Sequence, residues 1–422
     1  MVLAGVLAAV TCTATLGYLL RPGHTRGVAT GVHPTTSAAR ASSPPPARTL
    51  EKAPGPALAA RPPLGWDSWN RFGCDIDESL IRSTADAMVS SGMRAAGYQY
   101  VLVDDCWAAG FRDGDGRLTA DPSRFPSGMA ALARYVHAAG LRFGIYASAG
   151  ASTCEGRPGS AGHEEVDAQT FADWGVDYLK YDYCDNNEGT RPAGRTARQR
   201  YADMGAALRS TGRPIVFAVC EWGDERPWEW ATEIGAQLWR TTHDIKPDWE
   251  HITAILDEQA GLEAYAGPGG WNDPDMLEVG NGDLTRDEVR AHVTMWALLN
   301  APLLAGNDLR EMDDVTAAAL LNPDVLAVDQ DWAGTPGHRL GTPGDTETWT
   351  KPMSDGSTAI VLLNRRSADT TIRVTAARVG LPTAASYRVR DLWNGDQPAS
   401  TGTLGGVVPA HGVLAYRVWP QL

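Results

Sequence analysis

Short apolar segments alternate with longer helical segments between about Pro62 and Asp329. The apolar segments are "PLGWDSW", "YQYVLVDDCW", "LRFGIYAS", "VDYLKYD", "PIVFAVCEW", "AQLWRTT", "GPGGWND" and "APLLAGND". Between most of them apolar residues recur at helical spacing, as in 80–95, 129–139 and 196–210. About eight strand–helix units over roughly 270 residues predict an α/β fold, a (β/α)8 TIM barrel.

Polar side chains collect where these predicted strands end. They are Asp67, Asp104, Asp105, Tyr146, Lys180, Asp182, Glu221, Arg240, Asp273, Asp275, Asn307 and Asp308. Barrel enzymes place their chemistry at the C-terminal ends of the strands, so this distribution favours an enzyme. A doubly wound open sheet is the alternative, but the GxGxxG that would favour it after the first strand is missing.

The pattern changes after about Asp331. The segments "TETWTKPM", "TAIVLLNRR", "TTIRVTA", "SYRVRDLW" and "GVLAYRVW" are rich in β-formers, and "SDGS" and "WNGD" supply turns. We therefore predict a catalytic barrel over residues 62–332 and a C-terminal antiparallel β-sandwich domain over 333–422. The aromatic residues of this second domain could bind sugar, although packing against the barrel is the favoured interpretation.

The first sixty residues differ from the rest. Residues 1–20 carry no charged side chain and have the length of a signal peptide or a signal anchor. Residues 21–61 are rich in Pro, Ala, Ser and Thr, which is typical of a flexible linker. These features predict a protein that is secreted or anchored outside the cytoplasm, and they do not separate cleavage from anchoring.

Charge and cysteine content exclude several classes of function. The net charge of -14 and the pI of about 5.1 argue against nucleic acid or an anionic membrane surface as a partner. Cys12 lies in the leader, and the other five cysteines form no CxxC pair, so neither a metal nor another cofactor is expected. Because five is odd, at least one thiol should remain free.

The segment "VDYLKYDYCDNN" (176–187) places two opposite charges within one apolar strand. With side chains alternating at period two, Lys180 and Asp182 share a face that points into the top of the barrel. One interpretation is a buried ion pair between them, which is expensive to desolvate. The other is a carboxylate kept ionised by a nearby cation and suited to act as a nucleophile.

A second carboxylate would be needed for glycoside cleavage. Asp244 follows Arg240 by four residues in "WRTTHDIKPDW", after the sixth predicted strand. Retaining glycosidases use two carboxyl groups, one as nucleophile and one as acid/base. Asp182 and Asp244 could face each other across the barrel, but Asp104, Asp105, Asp273 and Asp275 are also candidates, and position alone does not separate them.

Seven motifs, in order, resemble those of glycoside hydrolase family 27, the α-galactosidase family. They are "GWDSWNRFGC", "VLVDDCW", "FGIYA", "YLKYDYC", "CEWG", "WRTTHDI" and "GPGGWNDPDML". The tail, with "RDLW" and "VPAHGV", resembles the C-terminal β domain of that family. The resemblance implies a retaining α-galactosidase that acts through a covalent galactosyl-enzyme, with an α-galactoside oligosaccharide or polysaccharide as its partner.

The resemblance also implies a role for each matching residue. Asp182 is implied as the nucleophile and Asp244 as the acid/base, while Asp104 and Asp105 hold the galactose O4 and O6 hydroxyls. The other implied substrate-side residues are Trp69, Tyr146, Cys154, Lys180, Cys220, Glu221, Trp222, Arg240, Asp275 and Met276. The implied disulfides join Cys74 to Cys106 and Cys154 to Cys184, which leaves Cys220 as a free thiol that lines the pocket.

Other activities of the family remain alternatives. Glu221 and Trp222 leave little room for a 2-acetamido group, which disfavours α-N-acetylgalactosaminidase activity. Two aspartates at 104 and 105 favour galactose over the substrate of the β-L-arabinopyranosidases, and isomaltodextranase activity is more remote. His243 stands where such proteins commonly have glycine; it could alter the preference for the leaving group or be a tolerated loop substitution. A catalytically inactive sugar-binding protein is disfavoured because Asp182 and Asp244 are both present.

Overall fold

The computed structural model describes residues 58–184 and 194–421, so residues 1–57, with the predicted signal segment and most of the linker, lie outside it. Eight parallel strands make the first sheet: β1 (Leu64–Asp67), β2 (Tyr100–Val103), β3 (Arg142–Ser148), β4 (Tyr178–Asp182), β5 (Val216–Cys220), β6 (Leu238–Arg240), β7 (Trp271–Asp273) and β8 (Leu303–Ala305). Consecutive strands pair from β1 to β7, and β8 pairs with β1. Leu277, after β7, bridges to Ala305 of β8 and closes the ring, which confirms the barrel.

The helices follow the predicted periodicity. They are α1 (Trp69–Phe72), α2 (Glu78–Ser90), α3 (Met93–Ala96), α4 (Met129–Ala138), α5 (Glu164–Trp174), α6 (Ala197–Ser210), α7 (Trp249–Gln259), α8 (Arg286–Leu298), α9 (Asp314–Leu320) and α10 (Pro323–Asp329). Capping boxes at Thr196 and Thr285 start α6 and α8, because each hydroxyl accepts a backbone N–H of the first turn. Across 58–184 and 194–421, every helix is too short or too polar to cross a bilayer.

The C-terminal strands form two antiparallel sheets. They are β9 (His338–Arg339), β10 (Thr346–Pro352), β11 (Thr358–Asn364), β12 (Thr370–Thr375), β13 (Ser386–Asp391), β14 (Gly395–Ser400), β15 (Thr403–Val408) and β16 (Val413–Gln421). The larger sheet has the order β14-β13-β16-β11-β10-β9, and β12 pairs with β15. Ile360 and Leu362 of β11 share a buried apolar cluster with Ile372 and Val374 of β12, so the two sheets pack as a sandwich.

The alternation of side chains along β4 positions the site. Leu179 and Tyr181 belong to the large apolar cluster, where Tyr181 packs against Tyr201 of α6. Tyr178 belongs instead to the small cluster inside the barrel, and Lys180 and Asp182 line a cavity above it. The prediction that Lys180 and Asp182 share the inward face is therefore confirmed.

Candidate active site

A cavity lies at the C-terminal ends of the barrel strands. It is lined by Trp69, Asn70, Asp104, Asp105, Tyr146, Cys154, Lys180, Asp182, Cys220, Trp222, Arg240, Asp244, Asp275 and Met276. Apart from Glu221, all the catalytic and substrate-side residues implied by the resemblance are among them. The cavity combines carboxylates, two cations and two indoles, which is a lining suited to a hydroxyl-rich ligand with apolar faces.

Asp182 is held rigidly at the end of β4. Its Oδ2 accepts a hydrogen bond of 2.9 Å from the Tyr146 hydroxyl, and its Oδ1 accepts one of 2.8 Å from the backbone N–H of Tyr183. The side chain is buried, and Cys154 Sγ lies 3.2 Å from Oδ2. Because both oxygens are fixed by donors on neighbouring elements, the carboxyl group is oriented before any ligand binds.

Asp244 lies in the loop after β6 and has different surroundings. Its side chain is 68% exposed, and its Oδ1 accepts a 2.9 Å hydrogen bond from the Arg240 guanidinium. The same guanidinium nitrogen lies 2.9 Å from Asp275 Oδ2, which also accepts the N–H of Ile245. Arg240 thus joins the loops after β6 and β7 and holds Asp244 at the edge of the cavity.

The pKa values of these two carboxyl groups diverge in the ligand-free site. Burial raises the pKa of Asp182 to about 7, although Lys180 and the Tyr183 N–H act against it. Burial also acts to raise the pKa of Asp244, but the charge and hydrogen bond of Arg240 prevail and lower it. The charge of Asp244 is among the lesser causes that raise the pKa of Asp182, so the ionisation of one group affects the other.

Lys180 does not pair directly with Asp182, so the interpretation of a buried ion pair between them is wrong, although the charge of Lys180 does act to lower the pKa of Asp182. Its Nζ donates to Asp104 Oδ2 at 2.6 Å and lies 3.5 Å from Asp67 Oδ2. Burial alone would lower the pKa of Lys180, but the charges of Asp104 and Asp67 raise it well above its ordinary value. The partners of Lys180 therefore lie at the ends of β1 and β2. The sequence segment had instead suggested Asp182, two residues further along β4.

Asp105 is also fixed by backbone donors. The N–H of Cys106 donates to its Oδ1 at 2.6 Å, and the N–H of Glu155 donates to its Oδ2 at 3.0 Å. Burial raises the pKa of Asp105 to about 6 despite these bonds. The lone pairs that remain on Asp104 and Asp105 can accept hydrogen bonds from ligand hydroxyl groups.

Two residues differ from the expected set. Glu221 is fully buried and is not part of the cavity lining; its Oε2 accepts the backbone N–H of Glu225 in the loop after β5. Asn70 does line the cavity and was missed, although it directly follows Trp69 in the first motif. Its Nδ2 donates to Glu278 Oε1 at 2.5 Å, which ties α1 to the loop after β7.

Disulfides join Cys74 to Cys106 and Cys154 to Cys184, the pairs implied by the resemblance. Among the described residues Cys220 is the free cysteine; it is buried and lines the cavity. Within the same residues, the two groups of three potential metal ligands each include one of these disulfides. A disulfide sulfur has no thiolate to offer a metal ion, so neither group is a good donor set.

Comparison with known proteins gives consistent matches over the barrel and the C-terminal sheets. A family model described as "Alpha galactosidase A" matches residues 61–331, and one described as "Alpha galactosidase C-terminal beta sandwich domain" matches residues 343–418. The α-galactosidase of Cyamopsis tetragonoloba is 49% identical over 366 residues, which cover 86% of this chain and 87% of that protein.

Solved structures show the same similarity. The crystal structure of α-galactosidase I from Mortierella vinacea has a TM-score of 0.83 at 35% identity and covers 87% of this chain and 99% of its own. The α-galactosidase of Saccharomyces cerevisiae with raffinose has a TM-score of 0.79 at 32% identity and covers 86% of this chain and 98% of its own. The similarity is therefore one of sequence and of three-dimensional structure over nearly the same residues.

Proposed function

The chain belongs to the α-galactosidase family of glycoside hydrolases, and we propose that it hydrolyses terminal α-D-galactosyl residues with retention of configuration. The observation that carries this proposal is the placement of two carboxyl groups around one cavity. Asp182 lies buried and fixed at its floor, and Asp244 lies largely exposed at its edge. A nucleophile must lie beneath the sugar, whereas an acid/base must reach the leaving group and then water.

The proposed reaction has two displacements. In the first, Asp182 attacks the anomeric carbon while the bond to the glycosidic oxygen breaks, and the proton of Asp244 passes to that oxygen. In the second, the Asp244 carboxylate takes a proton from water, whose oxygen attacks the anomeric carbon and releases Asp182. After the first step Asp182 is esterified and Asp244 has lost its proton to the leaving group; the second step returns one proton to Asp244 and frees Asp182.

The proton must change place before the first step. The raised pKa of Asp182 and the lowered pKa of Asp244 favour a proton on Asp182 over one on Asp244, whereas the first step needs the reverse. The sugar that covers Asp182 brings a glycosidic oxygen to Asp244, which favours the protonated form there, and the hydrogen bond from Tyr146 favours the ionised form of Asp182.

Galactose is the proposed sugar because of the carboxylates on the opposite wall. Asp104 and Asp105 are fixed by Lys180 and by backbone donors, and their free lone pairs accept charge-assisted hydrogen bonds from O4 and O6. A sugar with an equatorial C4 hydroxyl, such as glucose, leaves one of these acceptors unpaired. Raffinose, which the yeast relative binds in its solved structure, is one galactoside to test here.

The decisive experiment is chemical rescue with azide. Asp182→Gly and Asp244→Gly should each lose nearly all turnover of melibiose, by about 10^4-fold or more for the nucleophile. With 4-nitrophenyl α-D-galactopyranoside and azide, Asp182→Gly should yield β-galactosyl azide, because azide attacks the substrate directly. Asp244→Gly should yield α-galactosyl azide, because azide attacks the galactosyl-enzyme. Exchanged products would exchange the two roles.

A substrate panel tests the sugar itself. The wild-type protein should release nitrophenol from 4-nitrophenyl α-D-galactopyranoside much faster than from the α-N-acetylgalactosaminide or the β-L-arabinopyranoside. Release from another member of the panel without release from the galactoside would overturn the galactose assignment while leaving the two carboxylates in place. No release from any member would leave the inactive sugar-binding protein as the better interpretation.

The proposed location is outside the cytoplasm. Two disulfides close loops around the cavity, and such bonds persist in oxidising compartments. Separation of culture medium, membrane and cytosol from cells that make the full chain, followed by the galactosidase assay, tests this. Activity confined to the cytosol would overturn it.

A further inference from the structure

The loops that follow β5 and β6 are pressed together at the edge of the cavity. Gly223 has a φ of 84°, and a Cβ at this position would lie 2.3 Å from the carbonyl oxygen of Thr241. Only glycine permits that approach. Trp222, just before it, has a φ of 63°, a conformation that is strained for a tryptophan and is often kept at functional sites.

This contact brings two flat rings side by side. The Trp222 and His243 rings are nearly parallel, 15° apart, with their centroids 6.2 Å from each other. His243 Nε2 lies 3.4 Å from Asp224 Oδ1, which orients the imidazole, and the His243 side chain is 73% exposed. Trp222 lines the same cavity as Asp244, and His243 is the residue directly before Asp244.

We propose that Trp222 and His243 form the binding surface for the sugar ring of the leaving group, a neutral hexose. The inference rests on the proposed function, because Asp244 must come within hydrogen-bonding distance of the glycosidic oxygen. The first ring beyond that oxygen then lies next to the residues that flank Asp244. The apolar C–H face of a hexose packs on flat aromatic rings, and the imidazole N–H can donate to its hydroxyls.

The charges around this surface favour a neutral leaving group. Asp224 Oδ1 lies 3.4 Å from His243 Nε2 and Asp244 follows His243 in the chain, so acidic side chains border this surface and disfavour an anionic group such as a uronate. The alternative is that His243 is an exposed side chain that only packs against Trp222. The two interpretations differ in one measurable respect, the dependence of the effect on the leaving group.

The experiment compares a substrate with a sugar leaving group and one without. For wild type and His243→Ala, kcat/KM is measured with melibiose and with α-D-galactosyl fluoride. The kcat/KM for melibiose divided by the kcat/KM for galactosyl fluoride should fall about three- to tenfold in His243→Ala, which is the scale of one lost aromatic contact. His243→Phe, which keeps a flat ring, should restore most of the ratio, and His251→Ala, another histidine paired with an aspartate, should leave it unchanged.

Each of the other outcomes contradicts one specific part of the proposal. An unchanged ratio in His243→Ala, with or without an equal loss on both substrates, overturns the leaving-group surface. A fallen ratio that His243→Phe does not restore overturns the stacking contact as its cause. A wild-type protein that hydrolyses neither galactosyl fluoride nor melibiose overturns the proposed function itself.

Discussion

Lys180 and Lys351 are both buried, yet their surroundings treat the positive charge in opposite ways. Lys180 lies at the C-terminal end of the barrel strands, where its Nζ is 2.6 Å from Asp104 and 3.5 Å from Asp67. Lys351, on β10, is fully buried and donates to two neutral oxygens, Asn300 Oδ1 and the Val328 carbonyl, each at 2.7 Å. Burial acts to lower the pKa of both lysines. At Lys180 the charges of the two carboxylates prevail and raise the pKa well above its ordinary value, whereas at Lys351 burial prevails and lowers the pKa to about 8.

The difference shows what each lysine does. Burial disfavours a charge in both places, and only a carboxylate at contact distance reverses that cost. At the barrel mouth the Asp104 carboxylate at 2.6 Å favours the cation, whereas burial raises the pKa of Asp67, the more distant carboxyl group, to about 8; this arrangement suits a site that holds Asp104 for a ligand. Lys351 instead satisfies acceptors after α8 and in α10, and so ties the C-terminal sheet to the barrel helices.

Of the replacements that test this comparison, Lys180→Met should have the largest effect on catalysis. It keeps an apolar chain of similar length but removes the partner of Asp104, so kcat/KM for 4-nitrophenyl α-D-galactopyranoside should fall about 100-fold or more. The thermal midpoint near pH 5 should stay close to that of wild type, because burial raises the pKa of Asp67 to about 8 and this group can stay protonated once the cation is gone. Activity within about tenfold of wild type would remove Lys180 from the site.

Lys351→Met should lower the stability of the protein and leave its activity unchanged. It leaves Asn300 Oδ1 and the Val328 carbonyl buried without their donor, so the free energy of unfolding should fall by about 2–4 kcal/mol. Differential scanning calorimetry at one scan rate should show a midpoint lower by several degrees, while kcat/KM per folded molecule is unchanged.

The control is Lys246→Met, which removes the same charge at an exposed position and should leave the midpoint unchanged. If Lys351→Met lowered kcat/KM of the folded protein as strongly as Lys180→Met, the two lysines would not divide into a catalytic and a structural one.

Sequence alone predicted the position of Lys180 but not its partners. Period-two alternation along β4 and the polar strand ends were enough to place Lys180 and Asp182 on the inward face. The partner of Lys180 could not be predicted, because Asp104 is 76 residues away and is brought close only by barrel closure. A pattern along one strand reports the face of a side chain, not its contacts across strands.

The other differences between the sequence-based predictions and the structure also arise from turns and contacts that a pattern along one strand does not report. Glu221 follows β5 as expected, but the turn at Trp222 sends its carboxylate back to the N–H of Glu225. Asn70 enters the cavity because α1 starts immediately after β1, a local turn that periodicity does not specify. Lys351 lies in β10, where the alternation of side chains does not show which face is buried. Its burial depends on packing between the sheet and the barrel helices.

Asp329→Asn should have the smallest effect, and its sign tests the comparison most closely. Burial raises the pKa of Asp329 above its ordinary value, whereas in the unfolded chain this carboxyl titrates near pH 4. The folded state then binds more protons, so this contribution to stability is full at low pH and is lost as pH rises towards the raised pKa. The variant lacks that loss, and its midpoint should match wild type near pH 4 and exceed it by about 1–3 °C near pH 8.

The opposite sign would contradict the division between the two lysines. If Asp329 were ionised and paired with Lys351 as Asp104 is with Lys180, its replacement would leave a buried cation without a counter-charge, and the variant would be less stable than wild type near pH 8. Asp345→Asn, which removes a carboxylate from a largely exposed side chain, controls for the change in net charge and should show no such dependence on pH. A stabilised Asp329→Asn with unchanged kcat/KM would place Lys351 and Asp329 in the packing between sheet and barrel, and Lys180 and Asp104 in the reaction.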